Sequence, residues 1–286
     1  FGALNLNPTA GTVIGEWSLW TEGNITIGKA DGTSGSDLES RSFAITAGMD
    51  RPVGDDGLFG LSLTNGQDDV DIGSAGSNLD SDNYALSAYG YFKPENMPLM
   101  EAVVGLGKMN IDTLRIDGSQ TLRGDRDANI LFGSYTVRKD TLNYRDVSLS
   151  PYARLEGAYI SLDGYAEAGG SLALEYDKQT VKQTMLFVGT EFVSQQFYSG
   201  GRLRPFGKIE YGLNLTGDSN ADMHYVGDTT SYRLVLDRDA TSLWLFQIGA
   251  DYQIKNDLNV SFSYDHSEAV GSGYADTFRL ELNLQL

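Results

Sequence analysis

The chain of 286 residues is acidic, with a formal net charge of −18 and no cysteine. That excludes a disulfide framework and a thiolate metal site, and it argues against nucleic acid as a partner, which requires a basic footprint. Apolar residues make up 41% and the mean hydropathy is −0.27, and no stretch of the sequence nears the roughly 20 apolar residues of a membrane-spanning helix.

In chain order, residues 1–15 (FGALNLNPTAGTVIG) carry a proline and three glycines and make a poor helix. They are read as a linker or lumenal segment ahead of one domain at 16–286. No charged n-region with an apolar h-region opens the chain, so no signal peptide is expected there. From residue 16 onward, alternation of apolar and polar residues predicts about twelve strands. They fall near 16–28, 40–53, 57–66, 80–93, 99–114, 125–138, 146–161, 180–197, 202–216, 240–254, 257–267 and 274–286. Each is near the length of about 9 to 11 residues that a tilted transmembrane strand needs, or somewhat longer. No helical period competes with them, and no linker divides the chain.

The pattern is clearest in the last three. Trp244, Phe246, Ile248, Ala250, Tyr252 and Ile254 oppose Gln247, Gly249, Asp251 and Gln253. The chain ends FRLELNLQL, with Phe278, Leu280, Leu282, Leu284 and Leu286 on one parity and Arg279, Glu281, Asn283 and Gln285 on the other. A period of two puts these sets on opposite faces of a strand. A free C-terminus frays unless something ties it down, so the alternation says that the last residues lie in a sheet.

Connections alternate as well. Short ones hold turn residues: RPVGDDG (51–57), KPENMP (93–98), RKDTLN (138–143), YSGGR (198–202) and KNDL (255–258). Long ones lie between them, at 29–40, 65–82, 116–126, 162–178 and 217–239. One short end and one long end, with a strand closing the chain, fit an all-β fold: a transmembrane antiparallel up-and-down β-barrel of about twelve strands in a bacterial outer membrane.

In that barrel the polar parity faces a wet lumen. Arg154, Glu156, Glu191, Arg204, Lys208, Glu210, Asp251, Arg279 and Glu281 are the predicted lumen-lining residues. They would hold a hydrated lumen open and contact a passing polypeptide, or pair with one another to stabilise the wall. Trp244, Tyr252, Tyr264 and Tyr274 on the apolar parity are read as an interfacial aromatic girdle, with outer-membrane lipid as the neighbour. Register is firm, because a one-residue slip of the last strand would turn Arg279 and Glu281 into hydrocarbon.

The stretches LSPYARLEGAYISLDGYAEAG (149–169), GGRLRPFGKIEYGLN (200–214) and VSFSYDHSEAVGSGYADTFRLELNLQL (260–286) together resemble the autotransporter β-domain, the C-terminal translocator of type V secretion. FGLSLTNGQDDVDI (59–72) and SDNYALSAYGYF (81–92) fit the same pattern, and the resemblance covers about residues 16–286. It implies a twelve-stranded barrel that delivers its own upstream passenger domain to the cell surface, needs no cofactor, and acts as a monomer. It also implies a C-terminal signal for the barrel-insertion machinery, for which Phe278, Leu280, Leu282, Leu284 and Leu286 are the candidates. The family's usual terminal aromatic is replaced here by Leu286, and 1–15 departs from the family's usual lumenal helix.

Other readings start from particular residues. A passive channel would use 162–178 or 217–239 as an inward constriction, and a surface adhesin would act through its long loops. SYDHSE (263–268) offers Asp265, His266 and Ser267 to an outer-membrane hydrolase, but neighbours in a strand point to opposite faces. No catalytic residue and no metal ligand is therefore assigned. The acidic stretches DDVD (68–71) and GDSNAD (217–222) lack EF-hand spacing and are read as solvated loops. Gly105 and Gly107 precede no helix, so they are read as bare backbone beneath a bulky neighbour rather than as a phosphate loop.

Overall fold

The computed structural model describes residues 12–14, 17–31, 37–139, 141–144, 146–194, 196–198, 201–236, 241–254 and 258–284. Twelve long strands form its wall: β1 (Trp17–Asp31), β2 (Asp37–Val53), β3 (Gly57–Ile72), β4 (Ser77–Phe92), β5 (Leu99–Asp117), β6 (Gln120–Arg138), β7 (Val147–Leu162), β8 (Gln179–Ser194), β9 (Gly201–Asn214), β10 (Ser242–Ile254), β11 (Leu258–Ala269) and β12 (Gly273–Leu284). Each pairs antiparallel with its chain neighbours. The last strand returns to the first, from Gly273 opposite Ala30 to Asn283 opposite Trp20, and the sheet closes. All twelve predicted strands are present. Leu284 ends the ladder opposite Leu258, whereas Leu286 lies outside the described residues.

Alternation sorts the side chains into two environments. Outward positions are bulky and apolar, as at Ile45, Leu63, Leu86, Leu106, Leu131, Ile248 and Leu280. In water, so wide an exposed apolar surface would drive association; in a membrane barrel it is the belt that meets lipid. Inward positions are mostly polar, charged, or small enough to seat an aromatic ring, with a few buried apolar side chains among them, such as Ile111, Leu122, Ile130 and Met185. Phe132 covers Gly105 directly across the β5–β6 ladder, where an added Cβ would lie 2.3 Å from the ring. Phe206 covers Gly249 in the same way across β9–β10.

The strands differ from the sequence expectation in length. The segments 65–82 and 116–126 are not long loops. β3 and β4 continue to a four-residue turn at 73–76, and β5 and β6 to a two-residue turn at 118–119. Gly118, at φ 58, takes the first position of the tighter turn, a conformation that costs glycine nothing. The outer faces of these extensions are mostly polar and their inner faces mix polar with apolar residues such as Val70, Ile111 and Leu122, so the alternation that marks the wall below is lost although the backbone ladder runs on. DDVD (68–71) is thus part of β3: Asp69 and Asp71 point outward, while Asp68 points inward and accepts from Ser81 Oγ at 3.1 Å and Asn83 Nδ2 at 2.9 Å.

The outer face records where the membrane ends. On β3 it passes from Phe59, Leu61 and Leu63 to Asn65, Gln67, Asp69 and Asp71. Asp69, Asp80, Asp112 and Asp125 stand directly opposite one another across β3, β4, β5 and β6. Like charges so placed repel, and such a row is tolerable only where water screens it. Above this level β7 stops at Leu162, leaving one edge of β6 unpaired beyond Ala128. Ala168 bridges Arg123 on that edge. Four short strands (Tyr165–Ala166, Leu174–Tyr176, Ser219–Tyr225 and Tyr232–Leu236) then form a rim sheet. The segment 163–178 therefore carries the wall upward instead of folding across the lumen.

The outer face yields two tests. Leu106→Arg, in the lipid belt, should lower the unfolding free energy by about 2–4 kcal/mol in urea titrations of vesicle-inserted barrel; an unchanged midpoint would place Leu106 in water. Burial and the neighbouring Asp69 and Asp112 raise the Asp80 pKa above the usual carboxylate value. A raised folded-state pKa makes stability rise as pH falls through it. Asp80→Asn should therefore stabilise the barrel by a few tenths of a kcal/mol at neutral pH, with the difference vanishing in acid.

Candidate functional site: the barrel interior

Every predicted lumen-lining residue sits on an inward-facing position, and most are drawn into ion pairs. Glu210 on β9, wholly buried, lies at the centre. Arg154 Nη2 on β7 is 3.0 Å from its Oε1, and Lys208 Nζ is 3.3 Å from its Oε2. Arg154 Nε also reaches Glu156 at 3.0 Å, and its guanidinium lies 4.5 Å from the Phe187 ring centroid. Glu191 on β8 pairs with Arg138, whose Nη2 is 3.3 Å from Glu101. Arg204 grips Asp251 through Nε at 2.6 Å and Nη2 at 2.5 Å. Arg279 holds Asp265 at 2.6 Å and approaches Glu22 at 3.9 Å. Glu281 faces inward opposite Glu22 and Ser261.

Sequence reading missed Arg138, Glu101, Glu22 and Asp265. Glu101, Glu22 and Asp265 have the right parity for an inward position, and Arg138 falls where the expected strand 125–138 meets the expected turn 138–143. Which acid meets which base depends on the stagger between strands, which no single strand shows.

Elsewhere the predictions divide. Trp244 and Tyr274 face outward, 40% and 39% exposed, and Tyr252 and Tyr264 share their parity. Tyr264 packs on Phe278 at 5.2 Å between ring centroids, just below His266, where the outer face turns polar. His266 Nδ1 lies 2.8 Å from Asp276 on the outside, while Ser267 bonds the Ala275 carbonyl and Asp265 is held by Arg279 on the inside. The residues of SYDHSE therefore do not converge. Among the described residues no group of three or more His, Cys, Asp or Glu could hold a metal ion.

At the outer mouth, Arg115 makes a two-pronged bond to buried Glu167 (2.9 and 2.7 Å) and donates to the Leu172 carbonyl at 2.8 Å. Those bonds hold its guanidinium well above its usual pKa. Tyr165 stacks on Tyr176 at 4.8 Å, and burial pushes Tyr176 up to about 12. This clamp ties the rim sheet to β5 and β6.

A closed sheet with an apolar exterior, a charged interior and a raised outer rim defines an outer-membrane β-barrel. The sequence profile of the Autotransporter beta-domain matches residues 19–265. The chain belongs to the autotransporter β-domain family, and it is an outer-membrane translocator barrel. Among solved structures it is similar to the translocator domain of the autotransporter NalP from Neisseria meningitidis, at 15% identity, TM-score 0.77, over 99% of this chain and 91% of that one. It is also similar to the transport unit of AIDA-I from Escherichia coli, at 14% identity, TM-score 0.60, over 99% and 93%. The beta domain of the Bordetella autotransporter BrkA matches at 12% identity, TM-score 0.64, over 94% and 99%. At these identities the likeness is one of fold. No curated protein matches the sequence.

Glu210 supplies the test of this site. Breaking a buried ion pair on one side leaves the other charge uncompensated, at a cost of about 3–5 kcal/mol. Glu210→Ala should approach that loss in urea titrations, since both Arg154 and Lys208 lose their partner. Glu156→Gln, at a partly exposed pair, should cost under about 1 kcal/mol. Equal effects would mean that Glu210 is not the hub.

Proposed function

We propose that the barrel delivers its own upstream passenger domain to the cell surface, through or with a hydrated lumen lined by Arg154, Glu156, Glu191, Arg204, Lys208, Glu210, Asp251, Arg279 and Glu281. Membership of the family over 19–265 carries this reading. The ion pairs support it physically, because charges balanced along the wall keep the interior wet and cylindrical without collapsing onto each other. In this reading the domain is a transport unit and not an enzyme, it works as a monomer, and it needs no cofactor.

The segment 1–15 links passenger to wall or occupies the lumen. Thr12–Ile14, paired with Trp17–Leu19, brings the upstream chain to the end of the barrel opposite the rim. Trp244, Tyr252, Tyr264 and Tyr274 anchor the two lipid interfaces, and the alternating C-terminal strand from Phe278 is what the barrel-insertion machinery reads. A passive channel would need an inward constriction, whereas 163–178 is committed to the wall by the Arg123–Ala168 bridge.

The experiment is a surface-display assay in a Gram-negative host, with the native upstream region and an epitope tag. Protease added to intact cells should remove the tag and leave the barrel protected. A tag retained in the periplasm beside an inserted barrel would refute delivery and turn attention to conductance.

A further inference from the structure

The first wall strand has two edges. Along one, β1 pairs with β2, from Ser18 opposite Asp50 to Asp31 opposite Asp37. Along the other, β12 descends from Gly273 opposite Ala30 to Asn283 opposite Trp20, and the ladder stops there. β12 itself continues to Leu284, which pairs on its far side with Leu258. Beyond Trp20, toward the end opposite the rim, the same edge of β1 carries a different partner. Thr12, Val13 and Ile14 lie opposite Leu19, Ser18 and Trp17, joined to β1 by the two-residue connection 15–16. Two strands thus share one edge end to end. Thr12 is the last rung of the shorter one, because the next position, Trp20, already belongs to Asn283.

The register turns this sharing into a contest. In an antiparallel ladder each step forward on β12 is a step back on β1. Continued past Asn283, the β12 register brings Leu284, Gln285 and Leu286 opposite Leu19, Ser18 and Trp17. Those are the three rungs that Thr12, Val13 and Ile14 hold. The rivals are alike where the edge is concerned. Both run antiparallel to β1, so both present the same backbone N–H and C=O groups to it. Both also bring an apolar residue type to the Trp17 rung, Ile14 or Leu286. Thr, Val and Ile are the β-branched types that suit a strand best, which favours the upstream segment.

We propose that the seam ends in an exchangeable latch, in which Thr12–Ile14 and the residues Leu284, Gln285 and Leu286 are alternative occupants of the β1 edge at Trp17–Leu19. The structure holds the upstream segment in place. A bare sheet edge is a template for pairing with another chain, and its N–H and C=O groups find no partner in lipid. With two occupants in reserve the edge is never bare. When the upstream segment is drawn away, the C-terminal strand extends its ladder by three rungs; when the segment returns, that strand withdraws to Asn283. The seam changes length with the state of the upstream chain, and the barrel stays closed in both states. The inference rests on the two ladders alone and stands whether or not the barrel delivers a passenger.

The chain has no cysteine, so one thiol at position 18 can report which rival it faces. Residues directly opposite in an antiparallel ladder have Cα atoms about 4.5–5.5 Å apart, within disulfide range. The full chain carrying Ser18→Cys, Val13→Cys and Gln285→Cys is inserted into lipid vesicles and treated with a mild oxidant. Mass spectrometry of the digest then compares the 13–18 link with the 18–285 link. The 13–18 link should be several-fold more abundant. Adding Thr12→Pro and Ile14→Pro, which a paired strand does not accommodate, should reverse the ratio. If the proline variant fails to insert, the chain without prolines is followed on warming. The 18–285 link should then grow at the expense of 13–18 while the barrel still resists SDS. An 18–285 link that dominates from the start would mean that the C-terminal strand holds the edge outright. A ratio indifferent to prolines and to warming would mean that the two do not exchange. Either result overturns the latch.

Discussion

In the hydrocarbon of a bilayer a peptide N–H or C=O has no water to turn to, and each one left unpaired costs several kcal/mol. A sheet meets that constraint only by having no edge. The ladder between β12 and β1, from Gly273–Ala30 to Asn283–Trp20, is therefore the interaction on which the rest of the structure depends. Once it is made, every wall strand has two partners and a definite inside, and the alternation of side chains acquires meaning. The same constraint explains the C-terminal strand, whose last described residue still pairs with Leu258.

The barrel changes character where that constraint lifts. Above the apolar belt, the wall needs no shield from lipid, and its outer face becomes acidic in a directly opposed row of aspartates. The rim sheet reverses the polarity of the wall below it. Its outward positions carry Glu175, His224 and the Asp222–Arg233 pair, and its inward ones carry Tyr165, Tyr176, Met223 and Tyr232. Two sheets joined through the Arg123–Ala168 bridge thus serve two solvents, and the side chains report which solvent each level meets.

Inside, the charges perform a structural task before any functional one. Glu210 with Arg154 and Lys208, Glu191 with Arg138, and Asp251 with Arg204 join strands side by side around half the wall. On β2–β4 the inward positions at mid-height, Thr46, Ser62, Thr64, Ala85 and Ser87, are by contrast small and uncharged.

Much of this was legible in the residues. A period of two needs only neighbouring positions, so the twelve strands, the inward set from Arg154 to Glu281 and the outward aromatics Trp244 and Tyr274 followed from local pattern. What failed locally failed for a physical reason: on the extensions of β3–β6 the outer face turns polar, so the apolar–polar contrast of the wall below is lost, while hydrogen bonds to the adjacent strand keep them extended. The partners of each charge, the bridge from Ala168 to Arg123 and the contrast between the two walls needed the closed sheet. They depend on stagger between strands that lie far apart in sequence, and stagger is fixed by pairing around the whole ring.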